Sequence, residues 1–304
     1  MDRSKNSIRN IIFGIGGQLL NIIMSFAYRT VFMRALSNEY LGINGLFTNI
    51  LMVFSLADLG VGTAIIYALY KPIAEQDIKK IKALMKLYEK AYITIGFVIL
   101  GLGLICTPFI EHLITTDREI PHVKLIFMIF VINTASTYFF AYKGTLITAS
   151  QQHYIVSSVV YGTSILCYGV QIVVMLLTHN YLLTLSIQVG TNILQNLITM
   201  KIADNMFPYL KGKNEERLSD REKKGIFKNM SSLMFYRTGQ VIINGTDSII
   251  ISKFQGIVEA GFYSNYSLIT TTIKNLLLQV FNAITGSIGN LAAVESDEKK
   301  YEIY

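Results

Sequence analysis

Residues 10–34 read NIIFGIGGQLLNIIMSFAYRTVFMR, a run that is long and apolar enough to cross a bilayer as one α-helix. Four polar residues interrupt this run at steps of three, four and four, so they share one helix face: Gln18, Asn21, Ser25 and Arg29. We call this row the polar stripe. An Arg at the centre of a membrane span costs about 2.5–3.5 kcal/mol, and such residues normally face a bundle interior or a water-filled cavity. The polar stripe therefore predicts that this helix lines a hydrated space.

The composition is that of a polytopic membrane protein. Of the 304 residues, 52% are hydrophobic and only 15% are charged, whereas about 25% of residues are charged in an average soluble chain. Apolar runs predict eight membrane spans, with approximate bounds at residues 10–33, 41–70, 91–115, 123–147, 154–178, 181–200, 229–252 and 262–291. The second span is longer than a bilayer needs, so we expect it to bend at Gly60 and Gly62 or to project from the membrane.

The basic residues predict the orientation. In this topology, 20 of the 27 Lys and Arg lie on the same side as the N-terminus and four lie on the opposite side. Cytoplasmic loops carry the excess of Lys and Arg, so the N-terminus is predicted to be cytoplasmic. This distribution explains the net charge of +7 without a nucleic-acid partner. The amphipathic, lysine-rich segment 73–90 is predicted to form a short helix on the cytoplasmic surface, where it either captures an anionic lipid substrate or only connects two spans.

The chain is predicted to contain an internal repeat. When the sequence is shifted by 219 residues, Gly42 falls on Gly261, and the polar stripe falls on Arg237, Gln240, Asn244 and Ser248. Both copies begin on the cytoplasmic side, which indicates a parallel repeat about an axis along the membrane normal. The predicted fold is thus all-α: a six-helix transmembrane lobe (1–200), a charged cytoplasmic linker (201–228) and a partial C-terminal lobe of two helices and a tail (229–304).

Three motifs carry a resemblance to a known family. They are YLG at residues 40–42, FSLADLGVGTA at residues 54–64 and LYKPIA at residues 69–74, and the tail from Gly289 fits the same pattern. The chain resembles bacterial polysaccharide biosynthesis proteins, the Wzx-type flippases of undecaprenyl-pyrophosphate-linked oligosaccharides, within the multidrug/oligosaccharidyl-lipid/polysaccharide exporter superfamily. The resemblance implies two six-helix lobes, alternating access and a central, often cationic cavity between spans one, two, seven and eight. The family usually has twelve or more spans, so we expect this chain to be truncated after about eight.

This resemblance assigns roles to the polar residues inside the spans. The predicted substrate-binding residues are Arg29, Arg237, Lys274, Gln18, Asn21, Ser25, Gln240 and Asn244. The three basic side chains would contact the diphosphate. Their alternatives are snorkelling to the interface for Arg29 and internal ion pairs for Arg237 and Lys274.

Four further residues are candidates for ion coupling or for a helix hinge: Asp58, Gly60, Gly62 and Asp247. The two acids could bind a coupling proton or cation. The alternative is a structural role, in which each acid caps a helix or pairs within the bundle. The two glycines could let their helix bend as a cavity opens.

The expected function is transport without catalysis. A multi-pass protein of the bacterial inner membrane would flip undecaprenyl-pyrophosphate-linked oligosaccharide to the outer leaflet for surface or exopolysaccharide biosynthesis. Besides this glycan lipid and the bilayer, the expected partners are a polysaccharide polymerase and glycosyltransferases. No catalytic residue, cofactor or metal site is predicted, and the four His match no metal-binding spacing. The alternatives are a cation-coupled drug exporter, a membrane enzyme, and a truncated, non-transporting remnant or assembly partner.

Overall fold

The computed structural model describes residues 3–58, 60–116, 120–211, 218, 225–226, 238–239 and 246–294, and the side chains of these residues except 3–12, 15, 63, 211, 276 and 279–294. Every element in this part of the chain is a helix. The α-helices are α1 (Arg3–Ala35), α2 (Asn38–Phe54), α3 (Val61–Ala74), α4 (Ile78–Cys106), α5 (Val123–Ala149), α6 (His153–Thr178), α7 (Tyr181–Met206), α8 (Asp247–Phe254) and α9 (Ile257–Val294). Short 3-10 helices cover Ser55–Asp58, Thr107–Leu113 and Pro208–Lys211.

The helices confirm the all-α membrane fold. Four of the described segments are long and apolar enough to cross a membrane, namely Asn38–Asp58, Ile78–Leu113, Val123–Ala149 and His153–Thr178. These four correspond to the predicted spans two to five. Polar caps begin two of the helices: Asp77 accepts the Lys80 amide at 3.0 Å before α4, and Asn180 accepts the Leu183 amide at 3.1 Å before α7.

The predicted bend in span two is a break of the helix. After α2, residues Ser55–Asp58 tighten into a 3-10 turn, and Gly60 adopts a left-handed conformation with φ +78° before α3 begins. Only Gly takes this conformation without strain from a Cβ. Gly62 lies within α3 against tyrosine hydroxyls, and a Cβ added there would come 2.7 Å from the Tyr92 Oη. Gly60 therefore interrupts the helix, whereas Gly62 permits close packing.

The prediction of a separate surface helix at residues 73–90 was wrong. Helix α4 runs without interruption from Ile78 to Cys106. Its apolar face in the amphipathic half, at Ile81, Leu84 and Tyr88, packs into the protein core with at most 3% exposure. The period of a half-buried helix is the same whether its apolar face meets lipid or protein, so periodicity could not distinguish the two cases.

The packing order places the core around α5. Helix α5 contacts α4 on one side and α7 on the other, α6 packs on α7, and α1 packs on α6. Helix α3 contacts both α4 and α5. Aromatic side chains fill the centre, where the Phe47 ring meets the Phe127 and Phe130 rings at 5.1 and 5.7 Å.

The chain divides into two compact units, Met1–Ser264 and Asn265–Tyr304. The first unit contains α1 to α8 and the first eight residues of α9. The second unit contains the remainder of α9, which is helical to Val294. The predicted boundaries at 200 and 228 stay a prediction.

We name the two ends of the first unit by their loops. The Ser37 end includes residues 36–37, 114–116, 179–180 and 255–256, and the Gln76 end includes residues 75–77 and 150–152. Contacts link the members of each end. The Phe32 and Tyr40 rings both meet the Tyr181 ring at the Ser37 end, with centroids 5.4 and 5.3 Å apart.

Candidate functional site

The polar stripe lies along the edge of the contact between α1 and α6. Gly17, adjacent to the stripe, faces the Tyr161 ring of α6. The four stripe residues are all half-buried, whereas Leu19, Leu20 and Ile23 on the other side of α1 are exposed. The stripe residues are therefore more buried than the apolar side chains on the other side of α1.

The stripe residues differ in their hydrogen bonds. The Ser25 hydroxyl donates to the Ile22 carbonyl of its own helix at 2.8 Å. The Asn21 side-chain oxygen is buried and accepts no hydrogen bond from the described residues. Such an acceptor loses stabilising free energy unless a ligand or water approaches it. Asn21 is therefore the stripe residue whose chemistry most favours an additional polar partner.

Arg29 contacts a distant helix. Its guanidinium donates to the Ser264 hydroxyl at the start of α9, and both residues belong to the first compact unit. These two residues are 235 positions apart in the sequence. The contact places Arg29 between the predicted first and eighth spans, where the repeat would also bring the two lobes together.

Helices α2 and α9 cross at glycines. A Cβ added to Gly42 would clash with the Ile257 carbonyl oxygen, and a Cβ added to Gly261 would lie 3.0 Å from the Asn38 carbonyl oxygen. A Cβ at Gly45 would lie 2.9 Å from the Ser264 Cβ. Small residues at these positions let two backbones approach closely, as in many packed membrane helices.

The crossing follows the predicted repeat residue by residue. Gly42 meets Gly261 and Gly45 meets Ser264, and each pair is separated by 219 positions. The Asn38–Gly261 contact is matched by the contact of Ile257 with Gly42, in which each residue is replaced by its equivalent. Such self-complementary pairing is the property of an interface on a two-fold axis. The geometry therefore has the form that a parallel repeat requires.

Further bonds hold the Ser37 end together beside this crossing. The Lys253 ammonium donates to the His112 carbonyl at 2.8 Å, and the Ser252 hydroxyl donates to the Leu113 carbonyl at 2.7 Å. The Ile257 amide donates to the Thr115 carbonyl at 2.9 Å. These bonds join the segment after α4 to the junction of α8 and α9. A polar cavity of about 820 Å³ lies at the same end, with Glu39 and Glu259 in its wall.

Asp58 lies in the 3-10 turn that breaks span two. It is 7% exposed and lies near the Tyr92 hydroxyl, which neighbours the Tyr88 ring with a centroid separation of 4.2 Å. The Thr145 hydroxyl of α5 donates to the Tyr88 oxygen at 3.1 Å. Asp58 is thus placed among hydroxyl groups of α4 and α5.

Asp247 occupies the first turn of α8 and accepts a hydrogen bond from the Tyr263 hydroxyl of α9. An acid in the first turn of a helix is stabilised by the positive end of the helix dipole. Both interactions fit the structural alternative for this residue, while ion coupling stays a prediction.

The remaining predicted substrate-binding residues lie outside the first compact unit or outside the described residues. Lys274 is an exposed residue of α9 in the second compact unit. Arg237, Gln240 and Asn244 lie outside the described residues. The described residues contain no group of three or more His, Cys, Asp or Glu that could hold a metal ion.

Sequence reasoning missed one ion pair that joins two helices. The Lys143 ammonium of α5 lies 2.6 Å from the Asp204 carboxylate of α7, with side chains 18% and 22% exposed. In the sequence, Lys143 is only one of the 20 basic residues predicted on the side of the N-terminus. A signal existed, because Lys143 follows an apolar run and an acid ends the span that packs beside it, but pairing requires knowledge of which helices are neighbours.

Comparison with known protein families identifies the family of this chain. A family model described as "Polysaccharide biosynthesis protein" matches residues 7–285. The search of curated proteins and the search of solved structures each return no match. The family match includes the polar stripe, the glycine crossing and the broken second span. It extends over nearly all of the chain, which therefore belongs to the polysaccharide biosynthesis protein family.

Proposed function

We propose that this protein flips a lipid-linked oligosaccharide, carried on undecaprenyl pyrophosphate, across the membrane by alternating access. The observation that supports this most is the crossing of α2 and α9 at equivalent positions of the repeat. Transporters built from parallel repeats move the two repeats relative to each other around a site between them. A glycine contact on the two-fold axis is a suitable place for such a movement because few side chains interlock there.

The contacts at the Ser37 end support a conformational state that is closed on one side of the membrane. The charge distribution predicts that the Ser37 end lies outside the cell, and this end is joined by the glycine crossing, the Arg29–Ser264 bond and the bonds of residues 112–115. The state described is then one in which the outer side is shut. A substrate would enter from the cytoplasmic side and leave after these contacts separate.

Arg29 changes partner in this cycle. In the closed state its guanidinium donates to Ser264. When α9 moves away, the guanidinium becomes available to the diphosphate, which it can bind through two parallel hydrogen bonds. A ligand shifts a conformational equilibrium only if it binds the two states differently. Competition between Ser264 and the diphosphate for one guanidinium supplies such a difference.

The other charges have complementary roles in the proposal. Arg237 and Lys274 would contact the diphosphate at other depths, which offsets part of the cost of dehydrating it. The polyprenyl chain stays in the lipid, and the glycan passes with the headgroup. No covalent bond is broken, so the chain needs no catalytic group for this step.

Deletion of the gene tests the proposal. Undecaprenyl-linked repeat units should accumulate on the inner leaflet, and surface polysaccharide should decrease. Expression of the wild-type chain in the deletion strain should reverse both effects. Unchanged surface polysaccharide together with no accumulated intermediate would contradict the proposal.

A further inference from the structure

A second cavity lies at the Gln76 end, away from the glycine crossing. Its volume is about 670 Å³, within the range typical of ligand sites. The loop between α3 and α4 forms one wall, and the loop between α5 and α6 forms the other. The polar residues of the lining are Tyr70, Gln76, Ser150 and Gln151, and the other lining residues are aliphatic.

Two glutamines occupy equivalent and unusual backbone positions in these walls. Gln76 follows α3 with φ +56°, and Gln151 follows α5 with φ +61°. The bonds Gln76 N to Ile73 O and Asp77 N to Pro72 O form a Schellman cap. The bonds Gln151 N to Thr148 O and Gln152 N to Ile147 O repeat that cap after α5.

Glycine is the residue that this cap position favours. A residue with a Cβ is disfavoured in the left-handed conformation, and glutamine lacks the short side chain that makes Asn tolerable there. Both caps nevertheless place a glutamine, and both glutamines line one cavity. The left-handed backbone of these two glutamines destabilises the fold at two positions that line the same cavity. Two destabilising residues beside one cavity indicate a function for their amide side chains.

The chemistry of the lining selects a neutral, hydroxyl-rich ligand. None of the described residues that line the cavity is charged, so these residues do not offset the charge of a phosphate. Amide and hydroxyl groups each donate and accept hydrogen bonds, as the hydroxyls of a sugar do.

Two tyrosine rings extend the surface of the cavity. Tyr70 and Tyr67 are exposed, and their rings lie 5.9 Å apart in an edge-to-face arrangement. Such rings offer an apolar face next to a polar hydroxyl. Among the charged residues next to the cavity in the sequence, Lys71 lies 3.7 Å from Glu75, and the Asp77 carboxylate caps α4.

We infer that this cavity is a glycan subsite, which binds sugar residues of the lipid-linked substrate through Gln76 and Gln151. The inference rests on the proposed function, since it assigns the substrate's neutral part to a site separate from the cationic contacts. With the N-terminus in the cytoplasm, the Gln76 end faces the compartment from which the glycan arrives. The subsite would capture the sugars before the headgroup enters the path between the repeats.

The test compares two lipids on the purified full-length chain in detergent. One is undecaprenyl pyrophosphate carrying the oligosaccharide extracted from the source cells, and the other is undecaprenyl pyrophosphate without sugar. The wild-type chain should bind the glycan-bearing lipid about tenfold more tightly. The double variant Gln76→Gly, Gln151→Gly should lose this preference and should unfold at a higher temperature than the wild type.

Two further variants control for changes in folding. His179 also has a left-handed backbone, with φ +51°, but lies at the Ser37 end. His179→Gly should therefore raise the unfolding temperature and leave the glycan preference unchanged. The double variant Gln76→Asn, Gln151→Asn retains a residue that tolerates this backbone but shortens the reach of each amide, so it should fold normally and bind both lipids equally.

The outcomes separate the two proposals. Equal binding of both lipids by the wild type overturns the subsite and leaves the flippase proposal intact. A full glycan preference in the Asn or the Gly double variant, or a lowered unfolding temperature in the Gly double variant, also overturns the subsite. Binding of neither lipid by the wild type contradicts the flippase proposal itself.

Discussion

At the scale of single residues, Arg29 connects two helices that are far apart in the sequence. Residues 10–34 place it on a polar face, and the tertiary structure directs it to Ser264 of a helix 235 positions away. A snorkelling Arg would have extended toward the interface, whereas this side chain is half-buried against α9. The contact to another helix makes Arg29 sensitive to movement of that helix.

Replacement of Arg29 should reduce export. Arg29→Ala removes a charged hydrogen-bond donor, and such bonds contribute about 1.5–3 kcal/mol, so export should decrease about tenfold or more. Arg29→Lys keeps the charge without the planar fork and should give an intermediate rate. The measurement is the amount of surface polysaccharide at matched protein level in the deletion strain.

Arg34 provides the control for this substitution. It lies in the last turn of α1 and is exposed. Arg34→Ala should leave export near the wild-type value. Equal export by the Arg29→Ala and Arg34→Ala variants would exclude a specific role for Arg29.

The Lys143–Asp204 pair should stabilise the fold rather than take part in transport. Asp204→Ala leaves a largely buried ammonium without its carboxylate, and we expect a loss of about 2 kcal/mol, below the value for a fully buried pair because both groups retain some exposure. The measurement is the free energy of unfolding in detergent.

An exposed pair is the matched control. Lys124 and Glu111 lie 2.9 Å apart, but their side chains are 49% and 54% exposed. Glu111→Ala should cost at most about 1 kcal/mol. If the two Ala variants lose the same stability, burial does not determine the contribution of these pairs.

At the scale of helices, the interrupted second span and the glycine crossing determine the arrangement. The break at Gly60 separates α2, which crosses α9, from α3, which contacts α4 and α5. Because α2 and α3 are separate helices, we expect α2 to follow a movement of α9 while α3 keeps its contacts with α4 and α5. The broken span is therefore expected to connect the crossing of α2 and α9 to the rest of the bundle without holding these two helices in one fixed position.

A methyl group at the crossing should separate α2 from α9. Gly42→Ala places its Cβ against the Ile257 carbonyl, and overpacking of this kind costs about 1–3 kcal/mol. The unfolding temperature should decrease. A cysteine introduced at Ser264 should also react faster with maleimide in this variant than in the wild-type background.

Gly162→Ala is the control for helix propensity. A Cβ at Gly162 would meet no atom within 4 Å, and replacement of a helical Gly by Ala stabilises by about 0.5–1 kcal/mol. Its unfolding temperature should increase. A higher unfolding temperature for Gly42→Ala as well would show that α2 and α9 do not approach as closely as described.

At the scale of the whole molecule, orientation decides which end of the bundle is the exit. The charge distribution predicts that the Ser37 end is outside. In a background with Cys106→Ser and Cys167→Ser, which removes both native cysteines, His179→Cys should react with a membrane-impermeant maleimide in intact cells. Glu75→Cys should react only after the cells are opened. The reverse pattern would invert the proposed direction of transport.

Much of this molecule could be predicted from sequence because the signals are local or periodic. Apolar runs predicted spans two to five with errors of a few residues at most ends, with two exceptions: α4 begins 13 residues before its predicted start, and the second span ends at Asp58, 12 residues before its predicted end. The offset of 219 aligns Gly42 with Gly261, which the structure brings into contact, while the repeat itself stays a prediction. Segment 73–90 was misassigned because its amphipathic period does not report whether lipid or protein covers the apolar face.

The helical class, the family and four apolar segments long enough to span a membrane all follow from the sequence alone. The packing of the helices was needed to show that Arg29 reaches Ser264, that Gly42 meets Gly261 at a crossing, that Lys143 pairs with Asp204, and that two glutamine caps share one cavity. The physical reason is the range of the interactions. Helix formation and partition into lipid depend on residues within a few turns, whereas each of these contacts depends on which faces of distant helices pack together.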